Sequence, residues 1–359
     1  MTGGPRLAIV LSGFPRRSET FALADVNALV DRGMVAAVFA TKHGEEAAVQ
    51  PAAARLLPRV RYLSPGTAAA QASEAASALA GSRLDGVHAY FAHTPAAVAV
   101  ELSCLLGVRF GFSAHAGDAR KLPRQELHAR ARLSTCVVAC NADVASEFDG
   151  SGVPVQVAHH GVDLDRFAYR SQSPDGICRL LAVGRLVAKK GFDVLLDAVA
   201  ALAGPWRLRI VGSGPEQQRL EHQVRELRLA ERVTFCGPLT HDALPLEYQH
   251  ADVVVVPSVR DRTGDRDGLP NVVLEAMACG AAVIAADVGA IGSAVRDGST
   301  GLLVPSGDAG ALARRLACLM RDPALRACLA TRARAAVQRR FDTRRCTARF
   351  ASVLEQAYG

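Results

Sequence analysis

Lysine is scarce in this chain of 359 residues, and aromatic side chains make up only 5% of it. The four lysines are Lys42, Lys121, Lys189 and Lys190, so arginine supplies nearly all of the positive charge behind the formal net charge of +7. The arginines are scattered, whereas nucleic-acid recognition needs clustered cations with aromatic stacking platforms. The composition therefore argues against nucleic acid as a partner and leaves anionic small molecules or an anionic membrane surface open.

Metal-binding and secretory signals are missing as well. The nine cysteines form no CxxC pair and no cysteine–histidine cluster at zinc spacing, so we expect reduced thiols and no metal site. The N-terminal segment lacks the apolar core and cleavage site of a secretory leader. The longest weakly charged stretch, residues 276–295, contains Asp287 and glycines, which disfavours a membrane span. We expect a cytoplasmic protein, and a peripheral contact with the inner membrane face stays open.

Short apolar runs alternate with amphipathic stretches along the chain, which is typical of βαβ units around buried parallel sheets. The twelve predicted strands are residues 6–11, 35–40, 86–89, 110–113, 136–139, 155–158, 179–183, 206–211, 233–236, 253–256, 282–285 and 301–303. The length exceeds the usual size of one hydrophobic core. The predicted fold class is therefore α/β, with two doubly wound, Rossmann-like parallel-sheet domains facing each other across a cleft.

A polar stretch without periodicity divides the two sets of strands and is predicted to be the linker. The predicted organisation is an N-terminal domain at 1–165, a linker at 166–176, a C-terminal domain at 177–342 and a final helix at 343–359. This helix is basic and amphipathic, so we expect it to pack back toward the N-terminal domain, with membrane contact as the alternative.

Two cations follow the predicted strand 179–183. Arg185 and Lys190 lie on the connection to a helix that begins near Asp193. Ligands of open parallel sheets bind beyond the carboxyl ends of the strands, so both side chains are expected to clamp an anion there.

A second segment, DGLPNVVLEAM at 267–277, predicts a helix start that binds phosphate. Gly268 leaves room for a close ligand, and Pro270 fits the first turn of the helix. The amides predicted to bind the anion belong to Leu269, Asn271 and Val272. Asp267 and Glu275 lie about two helical turns apart, so they would reach different parts of one elongated, hydroxyl-rich ligand.

Two other patterns predict no site. The segment GSGPEQ at 212–217 lacks the third glycine of a dinucleotide fingerprint, so NAD is not expected. His159 and His160 would face opposite sides of a strand, which argues against a metal pair.

Taken in order, GRLVAKKG, VGSGPE, VTFCGPL, DGLPNVVLEAMACGAAVIAADVGA and DGSTGLLVP resemble the retaining family-4 glycosyltransferases of the GT-B fold. In the first half, SGFPRRSETF, HAYFAHTPA, FGFSAHAGDA and HHGVDLDRF resemble the colanic-acid or exopolysaccharide branch of that family. His160 belongs to the last of these motifs, where the resemblance implies that it helps to start the linker.

The resemblance implies a role for each matching residue. Arg185 and Lys190 would bind the donor diphosphate, and Glu275 would bind the ribose. Asp267 stands where the family has the first glutamate of an E-x7-E pattern, which contacts the donor hexose, and it is one methylene shorter. The remaining matches are His115, for a histidine extended toward the sugar, often through its backbone carbonyl, and Gly13, for a glycine loop that admits donor phosphates and acceptor.

The implied function is transfer of a hexosyl unit from a nucleoside-diphosphate sugar to a hydroxyl acceptor with retention of configuration, in polysaccharide or glycoconjugate assembly. The acceptor would be a glycan, a lipid-linked sugar or a small molecule, and no cofactor or metal is expected. The alternatives are glycosylation of a small secondary metabolite, a nucleotide-sugar 2-epimerase, and a non-catalytic nucleotide-sugar-binding subunit.

Overall fold

The computed structural model describes residues 4–16, 19–44, 51–170, 176–240 and 242–359. Unit 1 comprises residues 1–161 and 343–359, and unit 2 comprises residues 162–342. The division thus lies ahead of the predicted linker 166–176, of which 171–175 lie outside the described residues. The boundary lies before Val162 because the residues that follow it already pack within unit 2. The Val162 backbone N–H donates to the Phe341 carbonyl at 2.8 Å, and Phe167 is buried in the unit 2 core.

Unit 1 contains a parallel sheet of seven strands in the order β3-β2-β1-β4-β5-β6-β7. The strands are β1 (Leu7–Phe14), β2 (Val35–His43), β3 (Val60–Tyr62), β4 (Gly86–Tyr90), β5 (Arg109–Ala114), β6 (Cys136–Ala139) and β7 (Val155–Val157). The helices between them are α1 (Thr20–Asp31), α2 (Pro51–Leu56), α3 (Ala68–Ala78), α4 (Thr94–Leu106), α5 (Ala116–Ala119), α6 (Arg124–Leu133) and α7 (Ala142–Ala145).

Unit 2 contains a parallel sheet of six strands in the order β10-β9-β8-β11-β12-β13. The strands are β8 (Cys178–Val183), β9 (Trp206–Val211), β10 (Val233–Phe235), β11 (Val253–Val256), β12 (Ala282–Ala286) and β13 (Leu302–Val304). The helices are α8 (Phe192–Ala200), α9 (Gln217–Glu226), α10 (Leu244–His250), α11 (Asn271–Cys279), α12 (Ala309–Arg321) and α13 (Pro323–Arg340), and the chain ends in α14 (Thr343–Tyr358), which belongs to unit 1.

The central strands are buried on both faces, as their apolar sequences predict. In β1, Ala8 and Val10 belong to one core cluster, whereas Leu7 and Ile9 belong to the cluster on the opposite face. The predicted α/β class and all twelve predicted strands are confirmed, with ends that differ by up to three residues. The sequence analysis missed β3, because three half-exposed residues at a sheet edge carry no apolar run.

Among the described residues, no helix combines the length and apolar character needed to cross a bilayer.

Helix α14 packs on the unit 1 sheet through Tyr358, which is 3% exposed. The Tyr358 hydroxyl donates to the Val87 carbonyl at 3.1 Å, and its ring lies over two glycines. A Cβ atom at Gly86 would approach Tyr358 Cδ1 to 2.3 Å, and one at Gly111 would approach its hydroxyl to 2.5 Å. Both glycines are therefore required by the close approach of this ring.

We expect Tyr358→Ala to lower the free energy of unfolding by about 3–5 kcal/mol, because it leaves a ring-sized cavity over the glycines. Tyr358→Phe should cost about 1–3 kcal/mol, because its hydroxyl also contacts the buried His88 Nδ1 atom at 3.1 Å and both hydrogen bonds are lost. Urea denaturation followed by circular dichroism measures both. Glu355→Ala, on the exposed side of α14, is the control and should change stability by less than about 0.5 kcal/mol. A loss below about 1 kcal/mol in Tyr358→Ala would contradict the role of this ring.

Candidate functional site

The loop after β8 carries Arg185 and Lys190, and it packs closely on the loop after β11. Gly191 ends the first loop with a φ of 65°, and a Cβ atom there would lie 2.0 Å from the Pro257 carbonyl oxygen. The Val259 N–H donates to the Lys189 carbonyl at 2.8 Å. A glycine is thus needed at 191, and the contact brings the two lysines to the residues that follow β11.

Lys190 and Asp267 form a largely buried ion pair at this junction. The Lys190 Nζ atom donates to Asp267 Oδ2 at 2.8 Å, and the Ser258 hydroxyl donates to the same oxygen at 2.6 Å. Burial raises the pKa of Asp267, but the charge and hydrogen bond of Lys190, the Ser258 hydrogen bond and the Lys189 charge outweigh it and hold the pKa below its usual value. Asp267 is therefore a carboxylate at neutral pH.

Lys189 has a separate partner in the same loop. Its Nζ atom donates to Asp265 Oδ2 at 2.9 Å and lies 3.9 Å from Asp267 Oδ1. Asp261 organises the turn itself, because its Oδ1 atom accepts from the backbone N–H groups of Thr263 and Asp265 at 2.9 and 3.0 Å. The acids of this loop are thereby held in defined positions.

Arg185 is exposed at the carboxyl end of β8 and forms no ion pair with a described residue. Helix α11 begins at Asn271 after Pro270, with no side-chain cap at its N-terminus. The start of a helix carries the positive end of the helix dipole, and here the Val273 N–H already donates to the Pro270 carbonyl at 3.0 Å. Gly268 and Leu269, which were predicted to belong to the phosphate site, lie just before Pro270 and the start of this helix.

Glu275 lies on α11 and is buried. The Tyr248 hydroxyl donates to its Oε2 atom at 2.7 Å. Burial raises the pKa of Glu275 to about 7, against the Tyr248 hydrogen bond and the Arg166 charge, which lower it. Its proposed contact with a ribose stays a prediction, and Tyr248 is the structural partner that the sequence did not indicate.

Gly13 and His115 belong to unit 1, where they lie at the carboxyl ends of β1 and β5. A Cβ atom at Gly13 would lie 3.2 Å from the His43 carbonyl oxygen, so a side chain there would require a small shift of its neighbours. His115 begins α5, and its N–H donates to Asp118 Oδ1 at 2.8 Å. Its carbonyl already accepts from the Ala119 N–H at 2.9 Å, and its Nδ1 atom is buried without a hydrogen-bond partner among the described residues.

His115 is part of an aromatic stack that sequence reasoning missed. Its ring stacks on Tyr90 and His160 at 5.3 and 4.9 Å between centroids, and Phe21 stacks on His160 at 4.2 Å. His160 lies beyond β7 and outside any strand, in agreement with its predicted place in the turn before the linker, and its Nδ1 atom is 3.8 Å from Asp25 Oδ2. Burial and then His159 lower the pKa of His160 to about 3, and burial raises the pKa of Asp25 to about 7.

In the part of the chain that the structure describes, no three histidine, cysteine, aspartate or glutamate side chains are grouped so that they could hold a metal ion. The predicted residues thus divide by unit. Unit 2 brings Lys190 and Asp267 into contact. It also contains the other predicted residues of the C-terminal half, which are Arg185, Gly268, Leu269, Asn271, Val272 and Glu275.

 Gly13 and His115 lie in unit 1.

The raised pKa of Glu275 predicts how unit 2 responds to pH. The folded state keeps the Glu275 proton up to about pH 7, whereas an unfolded glutamate loses it near 4.5. The stabilisation from the protonated form is complete below pH 4.5 and is lost as the pH rises to 7, at up to about 1.4 kcal/mol per pH unit. We expect Glu275→Gln to flatten this decline. Urea denaturation at pH 5, 6 and 7, followed by fluorescence of Trp206, the only tryptophan, reports on unit 2.

Glu247→Gln, at the partly exposed ion pair with Arg209, is the control and should leave the decline unchanged. Equal slopes in wild type and Glu275→Gln would contradict a protonated Glu275.

Two family models match consecutive parts of the chain. Residues 18–166 match "Glycosyltransferase Family 4", and residues 167–336 match "Glycosyl transferases group 1". The chain is 34% identical over 206 residues, 56% of its length, to a putative colanic acid biosynthesis glycosyltransferase of Salmonella typhimurium, of which 51% is covered. It is 36% identical over 215 residues, 52% of its length, to a D-inositol 3-phosphate glycosyltransferase of Salinispora tropica, of which 43% is covered.

The chain thus spans about half the length of the curated relatives that it matches. Among solved structures, Anabaena HepE in complex with UDP has the same fold, with a TM-score of 0.82 and 20% identity over 98% of this chain and all of that chain. The two parallel-sheet units are those of the GT-B architecture. The chain belongs to the GT-B glycosyltransferases that combine a family-4 domain with a group-1 domain.

Proposed function

We propose that this protein transfers a hexosyl unit from a nucleoside-diphosphate sugar to a hydroxyl acceptor and retains the anomeric configuration. The observation that carries the proposal is the group of anion-binding features on unit 2. Arg185 and Lys190 share one loop, and the uncapped start of α11 follows Asp267, which contacts Lys190. A diphosphate suits this combination of two cations and exposed backbone donors.

These groups match the charge that develops during the transfer. Departure of the nucleoside diphosphate places negative charge on its outer phosphate, and preorganised cations and N–H donors stabilise such charge most effectively away from water. Arg185 and Lys190 serve this purpose, and no step requires a metal. Retention follows the family resemblance, with the leaving phosphate accepting the proton of the attacking hydroxyl.

The two carboxylates of unit 2 and the two candidate residues of unit 1 are proposed to bind the donor and the acceptor. Asp267 would accept hydrogen bonds from hexose hydroxyls, and Glu275 from the ribose. His115 would meet the transferred sugar, and Gly13 would admit the acceptor. A UDP complex and a UDP-glucose complex are known for HepE, and the Salmonella relative is named for colanic acid, so a uridine donor and a glycan acceptor are the first candidates. Contact with a membrane surface during assembly of a lipid-linked glycan is part of this proposal.

We expect one nucleoside-diphosphate sugar to raise the melting temperature by several degrees, since a ligand at a hundred times its Kd stabilises a protein by about 2.7 kcal/mol. UDP-glucose, ADP-glucose, GDP-mannose and TDP-glucose are compared by Trp206 fluorescence and circular dichroism. Glucose 1-phosphate, which lacks the nucleoside diphosphate, is the control and should produce no shift. The absence of a shift with all four donors would contradict the proposed donor class.

Lys190→Ala should lower kcat/KM for the donor ten- to a hundredfold, because one charge-assisted hydrogen bond is worth about 1.5–3 kcal/mol. Release of nucleoside diphosphate in the presence of acceptor measures the rate. Lys189→Ala is the matched control, with the same charge change one position away and an ion pair to Asp265, and should change kcat/KM less than threefold. Kinetics of Lys190→Ala equal to wild type would refute the role of this ammonium group.

A further inference from the structure

We propose that Asp267 competes with the diphosphate for Lys190, and thereby weakens the binding of the nucleoside-diphosphate product relative to the sugar donor. The inference rests on the proposed function and adds a role in product release. It follows from the contacts around one carboxylate oxygen.

The ammonium group of Lys190 is shared between two anions once a diphosphate binds. Its contact with Asp267 Oδ2 is 2.8 Å, and the two side chains are only 15% and 9% exposed. A lysine has three donors in a tetrahedral arrangement, so a phosphate oxygen on a second donor would lie roughly 4.5 Å from Asp267 Oδ2. Two negative charges at this separation repel each other, and solvent screens a buried pair only weakly.

Asp267 is held in place and cannot relieve this repulsion by turning away at low cost. The Ser258 hydroxyl fixes its Oδ2 atom at 2.6 Å. Its backbone is packed against Gly289, where a Cβ atom would lie 2.1 Å from the Asp267 carbonyl oxygen. Both the side chain and the main chain therefore keep the carboxylate beside Lys190.

The hexose of the donor offsets the repulsion, and the product has lost that hexose. Asp267 Oδ1 accepts no hydrogen bond from a described residue, so one carboxylate oxygen has lone pairs for sugar hydroxyls. While the sugar is attached, its hydroxyls bind Asp267 as the phosphate binds Lys190. After transfer, the diphosphate lies near the Asp267 carboxylate without the sugar hydroxyls that offset the repulsion between them. Asp267 thus favours departure of the product over departure of the donor.

Asp267→Asn tests this role because it removes the charge and keeps the side-chain size. Isothermal titration calorimetry compares UDP with UDP-glucose, ADP with ADP-glucose, GDP with GDP-mannose and TDP with TDP-glucose. We expect the variant to bind the diphosphate of the responding pair about three- to tenfold tighter than wild type, at a scale set by one hydrogen bond to a charged group. The ratio of donor affinity to diphosphate affinity should fall by at least the same factor.

The control is Asp265→Asn, which removes one negative charge from the same loop at a 43% exposed side chain paired with Lys189. It should change the diphosphate affinity less than twofold, which separates a contact effect from a general change of charge. Asp267→Ser provides a second neutral side chain if Asp267→Asn folds poorly, as judged by its melting curve. Inhibition by the diphosphate in turnover assays should strengthen in parallel with the calorimetric affinity.

A diphosphate affinity that is unchanged or weaker in both neutral variants would overturn the inference, and so would equal tightening of donor and diphosphate. These outcomes leave the proposed function standing, because wild type still binds both ligands. Failure of wild type to bind any of the four pairs would instead contradict the proposed function itself.

Discussion

The ion pair of Lys190 and Asp267 is the interaction on which the proposed chemistry of unit 2 depends. It joins the loop after β8 to the loop after β11, and it fixes a cation and an anion in one small volume. Removing two charges from water is costly, and a buried ion pair is often no more stabilising than a well-packed apolar pair. Stability alone therefore does not account for this pair at the carboxyl ends of two adjacent strands, and the proposed binding of a diphosphate beside it offers a reason.

Close backbone contacts make that pair possible. A Cβ atom at Gly212 would lie 1.9 Å from the Gly184 carbonyl oxygen, and one at Gly214 would lie 2.4 Å from the Leu186 carbonyl oxygen. Together with Gly191, these positions draw the loops after β8, β9 and β11 together. The resemblance between GSGP and a dinucleotide fingerprint has the same origin, because glycines at this edge serve loop packing as well as phosphate binding.

The fold was predictable from the sequence because its main signals are local. The residues of β11, four consecutive valines, are buried throughout, as expected for a central parallel strand. The start of α11 was predictable from Pro270, and the paired loops were predictable from their place after strands. The two partners of Asp267 could not be predicted from the sequence, because Lys190 is 77 positions away and Ser258 is one of many serines. The stack of Phe21, His115 and His160 likewise joins distant segments without any periodic pattern.

The two units also differ in the charge that their candidate residues carry at neutral pH. In unit 1, burial keeps His115 and His160 uncharged, and raises the pKa of Asp25 and Asp118 to about 7. The stacked rings around His115 thus form an uncharged, largely buried cluster, in which His115 Nδ1 and His160 Nε2 have no hydrogen-bond partner among the described residues. In unit 2, the pKa of Asp267 lies below its usual value beside Lys190 and an exposed Arg185, whereas burial raises the pKa of Glu275 to about 7. Uncharged stacked rings suit a neutral, hydroxyl-bearing molecule, whereas cations and a helix start suit a phosphate ester. These environments agree with the proposed roles, in which a sugar meets the rings of unit 1 and a diphosphate meets the cations of unit 2.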